Sequence, residues 1–179
     1  MKKRLPATML LCITLFTPQT MLAEDSIEKN GDKLQLLILT LGLSGTLFYE
    51  EGYQGSFQFI QSFVSSQLIT EGLKLAVEKE RPNGNCCNSF PSAHASKAFM
   101  GASFIHKRYG LNYGVPAYIG ATYVAYSRVH ADKHYVEDVL AGAAIGVLSS
   151  FYFTTPYTNL EIIPVVRNGT YGINFNSKW

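Results

Sequence analysis

The sequence is poor in cysteine, since its 179 residues contain only three. Cys12 lies in the amino-terminal apolar stretch, which leaves the adjacent pair Cys86-Cys87. Two neighbouring cysteines form neither a disulfide framework nor a zinc site. They are compatible with a vicinal disulfide, with two free thiols or with an intermolecular bridge. The composition therefore excludes a small fold held together by disulfides.

The net charge is small, and long apolar stretches are scarce. The net charge is +2, and no long basic run follows the first residues, which excludes the cation cluster of a nucleic-acid-binding protein. Three uncharged stretches, residues 34–49, 111–127 and 139–159, are interrupted by Gly, Ser, Thr, Asn or Pro. A membrane-spanning helix needs about 20 apolar residues, and each stretch is near the lower limit of length and apolarity for such a helix. Membrane and soluble interpretations therefore both stay open.

The amino terminus has the pattern of an export signal. Lys2, Lys3 and Arg4 precede an apolar stretch from Leu5 to Phe16 that is too short to span a bilayer. We expect cleavage after Ala23. The predicted organisation is a signal peptide over residues 1–23, a helical domain over 24–156 and a carboxy-terminal extension over 157–179.

Periodic apolar residues predict five helices after the signal. The expected ranges are 34–49, where Asp32 and Gln35 resemble a capping box, then 56–81, 92–107, 116–128 and 133–153. Gly142 and Gly146 in the fifth allow a neighbouring backbone to approach closely. Near the carboxyl end, Asn168-Gly169 between two apolar runs is typical of a β-hairpin. The predicted fold is an all-α, up-and-down bundle of about five helices with a small carboxy-terminal hairpin.

Four of these helices place chemically active residues at one pole of the bundle. Lys74 and Arg81 are two helical turns apart, so we expect them on one side of the second helix. Asp138 follows His134 by four residues, so its carboxylate is expected to accept a hydrogen bond from the imidazole. The other residues at this pole are Ser92 and His94 at the start of the third helix, and Arg128 at the end of the fourth.

Three cations, a hydroxyl, a helix amino terminus, two histidines and a carboxylate suit a phosphate site. One histidine can attack phosphorus while the other protonates the leaving oxygen, and the cations stabilise the equatorial oxygens. His130 and Asp132 suggest a rival metal cluster with His134 and Asp138. Three nearby cations would compete with a metal there, so we expect neither a metal nor another cofactor.

The ordered motifs resemble the type 2 phosphatidic acid phosphatase (PAP2) superfamily, which includes lipid phosphatases, bacterial class A acid phosphatases and vanadium haloperoxidases. Its first motif matches Lys74 through Arg81-Pro82, and its second matches Pro91-Ser92-Ala93-His94. Its third matches Ser127-Arg128, His134 and Asp138. Two departures are Ala93 in place of the usual Gly and a short loop over residues 83–90.

The resemblance implies a role for each matched residue. His134 is then the nucleophile, His94 the acid and Asp138 the residue that orients His134. The implied phosphate ligands are the side chains of Lys74, Arg81, Ser92 and Arg128 together with the amide of Ala93.

The implied function is metal-independent hydrolysis of a lipid phosphomonoester or pyrophosphate through a phosphohistidine. One alternative is a soluble periplasmic acid phosphatase of broad specificity that acts on small phosphomonoesters. Another is a non-catalytic phosphate-binding membrane protein, which would not require both histidines. We expect an inner-membrane protein whose active site faces the periplasm, since the predicted signal and alternating helices put both the start of the bundle and the active pole outside.

Overall fold

The computed structural model describes residues 24–157, 160–167 and 170–177. It contains five helices, α1 (Glu24–Phe48), α2 (Gln54–Val77), α3 (Ala93–Tyr109), α4 (Leu111–His130) and α5 (Val136–Phe153). The prediction of an all-α bundle of five helices is confirmed. The predicted signal peptide lies outside the described residues.

Helix α3 is the centre of the bundle and packs against the other four helices, while α1 also packs on α4 and α2 on α5. Small residues allow this close packing. A Cβ atom at Gly142 would overlap the carbonyl oxygen of Ser92, and one at Gly146 would overlap that of Ser96. The close backbone approach predicted for these two glycines is therefore present between α5 and α3.

The core is apolar on one side of α3 and rich in hydroxyls on another. Ile38, Ala98 and Val124 join one buried cluster, and the rings of Phe59 and Phe104 pack edge to face with centroids 5.0 Å apart. The α2 face that points inward instead carries three fully buried hydroxyl residues, Ser62, Ser66 and Thr70. Their hydroxyls are satisfied within the bundle, as in the bond of 3.0 Å from Thr70 to Ser96.

Four helix ends differ from their predicted positions. α1 extends upstream to Glu24, so Asp32 lies inside the helix rather than at its cap. α2 ends at Val77 because Glu78 adopts a left-handed conformation with φ of 42°, and residues 78–92 therefore leave the helix. α4 begins at Leu111, directly after Gly110, whose φ of 100° suits a glycine. α5 begins at Val136, so His134 precedes it.

The carboxyl end of α3 is held by a buried ion pair. Arg108 donates to Glu50 through Nε at 2.8 Å, and both side chains are almost fully buried. Tyr109 donates to the same carboxylate at 2.8 Å, and Arg108 also bonds the carbonyl of Thr155 at 2.9 Å. The basic end of α3 therefore has a structural role at the pole opposite Ser92.

The chain divides after Pro156 into the helical unit and a second unit that contains two strands. β1 (Leu160–Arg167) and β2 (Thr170–Ser177) pair antiparallel, with Leu160 opposite Ser177 and Arg167 opposite Thr170. The turn predicted at Asn168-Gly169 lies outside the described residues, so the hairpin as a whole stays a prediction.

Candidate active site

The eight candidate site residues lie at one pole of the bundle. Backbone hydrogen bonds connect the elements there, because the Ser92 N–H donates to the Asp138 carbonyl at 2.9 Å and the His134 N–H to the Arg128 carbonyl at 3.3 Å. Lys74 lies close enough to act electrostatically on both candidate catalytic histidines. The residues brought together are Lys74, Arg81, Ser92, Ala93, His94, Arg128, His134 and Asp138.

Ser92 caps α3, as the sequence predicts. Its hydroxyl accepts from the Ala95 N–H at 3.5 Å, and Ser92 itself is fully buried. Ala93 is the first residue of the helix and is also buried. The first amides of a helix have no intrahelical acceptor, so this end of α3 presents donors and positive potential to the site.

His134 is fixed by a backbone carbonyl rather than by the predicted carboxylate. Its Nδ1 lies 2.7 Å from the carbonyl oxygen of Ser89 and 3.9 Å from Oδ2 of Asp138. The second distance is too long for a hydrogen bond, so the predicted direct bond is wrong. Because a carbonyl only accepts, Nδ1 carries the hydrogen and Nε2 keeps its lone pair.

Asp138 acts on His134 through Ser89. Its Oδ2 accepts from the Ser89 hydroxyl at 2.5 Å and from the Tyr135 N–H at 2.9 Å, and the side chain is fully buried. The same Ser89 residue therefore offers its carbonyl to His134 and its hydroxyl to Asp138. Ser89 was not predictable as a site residue, because its position in an irregular loop matches no periodic pattern.

Burial is the main cause that lowers the pKa of His134 to about 4. The guanidinium of Arg81 and the ammonium of Lys74 lower it further, while the hydrogen bond to Ser89 and the Asp138 carboxylate oppose the change. His134 is therefore neutral near pH 7. A neutral imidazole with a free Nε2 can act as a nucleophile.

Arg81 does not share a helix face with Lys74, contrary to the prediction, because α2 ends at Val77. Arg81 lies in the segment that follows, where its N–H donates to the Asn85 carbonyl at 3.0 Å. Its Nε is buried and has no hydrogen-bond partner within the described residues. Lys74, in the last turn of α2, lies 3.5 Å from Glu71. A buried donor without an acceptor is rare in a folded protein and indicates a place for an anion.

Lys79 is a site residue that the sequence did not indicate. Its Nζ lies 2.7 Å from Asp138 and 2.8 Å from Glu137, and 4.5 Å from the centroid of the Tyr135 ring. Burial tends to lower the pKa of Lys79, but the hydrogen bonds to Asp138 and Glu137 outweigh it and raise the pKa. This cation holds the start of α5 against the segment after α2. That contact also explains why the chain leaves the helix before Arg81.

Asp32 is a site residue for which the sequence predicted a different role, that of a helix cap. Its Oδ1 lies 3.2 Å from Nε2 of His94 and 3.0 Å from Nη2 of Arg128. The predicted capping role is therefore wrong, and the carboxylate belongs to the site. Arg128 is also bound by the carbonyl of Glu28 at 2.7 Å and is almost fully buried. α1 thus contributes to the site, although it precedes all three sequence motifs, the first of which begins at Lys74.

The arrangement can hold and attack a tetrahedral dianion. Arg81 supplies an unsatisfied donor, Lys74 a nearby positive charge, and the start of α3 its amides. His134 offers a neutral nucleophile, and His94 is a second imidazole close enough to interact with it electrostatically. This combination suits phosphoryl transfer to and from histidine.

A family model described as the PAP2 superfamily matches residues 55–161. A lipid A 4'-phosphatase from Helicobacter pylori (strain J99) is 28% identical over 171 residues, which cover 86% of this chain and 85% of that protein. A lipid A 1-phosphatase from Porphyromonas gingivalis is 38% identical over 78 residues, or 42% of this chain. The matched part spans only 18% of the length of that second relative.

A solved structure has the same fold. The transmembrane PAP2-type phosphatidylglycerolphosphate phosphatase from Bacillus subtilis superposes with a TM-score of 0.52 at 24% identity, covering 81% of this chain and 89% of that one. At this level of identity the likeness concerns the fold alone. Together with the site geometry, these comparisons agree with the predicted family.

Proposed function

This chain belongs to the PAP2 superfamily and is a phosphatase, and on that premise we propose that it hydrolyses a lipid phosphomonoester or pyrophosphate through a phosphohistidine. The observation that carries the proposal is the environment of His134. The Ser89 carbonyl holds Nδ1 at 2.7 Å, which leaves Nε2 neutral and unprotonated. The buried, unsatisfied Nε of Arg81 provides a donor for the phosphate.

The proposed reaction has two displacements. In the first, the lone pair of His134 Nε2 attacks phosphorus, and the P–O bond to the leaving group breaks with its electron pair going to the oxygen. His94 gives that oxygen a proton. In the second, His94 takes a proton from water and the water oxygen attacks the phosphorus of the phosphohistidine. The N–P bond breaks, and its electron pair returns to Nε2. Arg81, Lys74 and Arg128 stabilise the charge on the equatorial oxygens in both steps.

A lipid substrate is supported by the surface of the helices. Large apolar side chains are exposed along the outside of the bundle, among them Ile60, Val64 and Leu68 on α2, Ile119 on α4, and Leu140 and Leu148 on α5. The hydroxyls of Ser62, Ser66 and Thr70 point inward instead. Apolar residues outside with small and polar residues between helices are the arrangement that lipid favours.

We therefore propose an integral inner-membrane protein. Among the described residues, one helix, Val136–Phe153, is long and apolar enough to cross a bilayer, and a third of it is buried inside the bundle. One such helix is weak evidence alone. The fold that this chain shares with a transmembrane PAP2-type phosphatase and the exposed apolar side chains add to it.

A periplasmic active site is part of the proposal. Near the start of α1, Glu28 lies 3.4 Å from Lys133 and Asp32 lies 3.0 Å from Arg128, so this end of α1 and the active pole are on the same side of the bundle. If the predicted signal exports the start of α1, the active pole is exported with it.

The mechanism is tested by trapping the intermediate. Wild-type protein and His134→Ala are mixed with ³²P-labelled lipid A or phosphatidate in detergent micelles and quenched in alkaline denaturant, in which phosphohistidine survives. We expect label on His134 in the wild type and neither label nor phosphate release in the variant. Label on Ser92, or turnover by His134→Ala, would contradict the proposal.

The substrate class is tested by comparing kcat/KM for lipid A, phosphatidate, an isoprenoid pyrophosphate and a small phosphomonoester. We expect at least one lipid to be preferred. Preference for the small ester by a detergent-free protein would support a soluble acid phosphatase instead. Phosphate binding without turnover of any of the four would support the non-catalytic alternative.

A further inference from the structure

Asp32 forms a bridge between two site residues that no other described carboxylate joins. One oxygen, Oδ1, lies 3.2 Å from Nε2 of His94 and 3.0 Å from Nη2 of Arg128. Its side chain is about half exposed (47%), whereas that of Arg128 is 3% exposed. Asp32 therefore lies at the rim of the site, where the group leaving a substrate phosphate would meet His94.

The packing of α1 fixes this carboxylate in place. Gly31, the preceding residue, faces α4 so closely that a Cβ atom would overlap the hydroxyl of Ser127 and crowd Nη2 of Arg128. The carbonyl of Glu28, one turn earlier, accepts from Arg128 at 2.7 Å. Two backbone features of α1 thus bring the helix against Arg128, and Asp32 follows directly.

The charges that face His94 come from every neighbouring element. Lys74 lies on α2, Lys97 on α3, Arg128 on α4 and His134 before α5. Each of these groups, when positive, repels a protonated His94. Asp32 on α1 is the anion in contact with the ring and attracts that form. Among these groups, Asp32 is therefore the carboxylate placed to stabilise the proton-donating form of His94.

We propose that Asp32 is a positioning residue for the leaving-group acid, and that it holds His94 protonated on Nε2. This inference rests on the proposed function. The Asp32 carboxylate accepts from Nε2–H, so the proton that passes to the leaving oxygen as the P–O bond breaks is the one on Nδ1. Nδ1 then takes a proton from the attacking water in the second step, which restores the imidazolium.

The test varies how much the leaving group needs a proton. An alkyl phosphate leaves as a basic alkoxide and requires the acid, whereas p-nitrophenyl phosphate leaves as a stabilised phenolate and does not. For Asp32→Asn we expect kcat/KM for the alkyl phosphate to fall by about 100-fold, the lower end for general acid catalysis, and that for the aryl phosphate by less than about threefold. We also expect the alkaline limb of the alkyl profile to move to lower pH. Asp32→Glu should recover part of the loss.

Glu28→Gln is the matched control, since Glu28 lies on the same helix and near Arg128 and Lys133. This variant should change kcat/KM for both substrates by the same factor and leave the alkaline limb of the alkyl phosphate pH profile in place. Equal losses for both substrates in Asp32→Asn would overturn the proposal and leave only a role in holding Arg128. A gain in activity would also overturn it, because Asp32 would then compete with phosphate.

Two further measurements separate the causes of a negative result. Vanadate binding by Asp32→Asn shows that the variant is folded with an intact phosphate pocket. If wild-type protein hydrolyses neither of these two phosphates and none of the lipid phosphates named above, the proposed function fails rather than the role of Asp32.

Discussion

At the residue scale, the protonation state of His134 determines whether the site can react. Burial lowers its pKa to about 4, and the Ser89 carbonyl selects the tautomer with hydrogen on Nδ1. Since the folded-state pKa lies below the ordinary 6.5, His134 should stay neutral as the pH falls through 6.5. It should take up a proton, and lose its nucleophilic lone pair, only as the pH approaches about 4.

We expect ¹⁵N NMR of the histidine-labelled protein to find an unprotonated Nε2 and a protonated Nδ1 in His134 at pH 7. The signal is assigned by its loss in His134→Asn. A titration midpoint near the ordinary value, or a hydrogen on Nε2 at pH 7, would mean that the Ser89 contact does not set the tautomer.

Lys79 provides the second prediction at this scale. Lys79→Met removes the cation that bonds the buried carboxylate of Asp138 at 2.7 Å. We expect a loss of about 1–3 kcal/mol in unfolding free energy, the usual cost of an unsatisfied buried polar group. kcat should fall by up to about 100-fold, because Asp138 and Ser89 would no longer fix His134.

A double-mutant cycle with Asp138→Asn checks this prediction by thermal unfolding. Removing both charges should cost less than the sum of the single changes, because neither partner is then left alone. Lys33→Met, at an exposed position on α1, should shift stability by less than about 0.5 kcal/mol. Additive effects would show that Lys79 and Asp138 are independent.

Lys79 and Asp32 also show where sequence reasoning about the site ends. The signature residues were predictable because the order and spacing of Lys74, Arg81, His94, Arg128 and His134 are distinctive. Lys79 lies inside the first motif, but only the tertiary contact with Asp138 gives it a role. Asp32 has a local pattern that favours a helix cap, yet its partners, His94 and Arg128, are distant in sequence.

At the element scale, the close approach of α5 to α3 depends on Gly142. A Cβ there would overlap the carbonyl oxygen of Ser92, whose N–H bonds the Asp138 carbonyl. We expect Gly142→Ala to lower the unfolding free energy by about 1–3 kcal/mol, the range for overpacking, and to reduce activity by displacing Ser92. Circular dichroism melts and phosphate release measure the two effects.

Gly72→Ala is the matched control, because a Cβ at Gly72 on α2 meets no atom within 4 Å. Gly72→Ala should raise the unfolding free energy by about 0.5–1 kcal/mol, because alanine has a higher helix propensity than glycine. Equal melting temperatures for the two variants would contradict the packing described between α3 and α5.

Helix positions were more predictable than helix ends. Local apolar spacing was enough to predict all five helices, and Ser92 was recognisable as the cap of α3. The end of α2 at Val77 was not predictable, because it depends on the hydrogen bond between Lys79, in the segment after α2, and Asp138 on α5. Such ends depend on partners far along the chain, which a local pattern does not contain.

At the scale of the whole molecule, the outward apolar surface predicts how the protein behaves in membranes. We expect it to stay in the membrane pellet after a carbonate wash. Leu68→Lys and Leu140→Lys, at side chains exposed by 70% and 64%, should each lower the membrane-inserted yield. A lysine facing the bilayer centre costs about 2.5–3.5 kcal/mol in insertion, and a lysine nearer a helix end costs less.

Asn112→Lys, in the exposed first turn of α4, is the matched control and should insert normally. Release of the wild type by carbonate, together with normal yields for both leucine variants, would indicate that these side chains face water.

Ser89 and Ser92 have a consequence for how the site opens. The loop before α3 is joined to the start of α5 by the Ser89 carbonyl on His134, the Ser89 hydroxyl on Asp138 and the Ser92 amide on the Asp138 carbonyl. Neither segment can detach without breaking all three bonds. Hydrogen exchange at the Ser92 amide should therefore require cooperative unfolding of both segments together, rather than local fraying of either one.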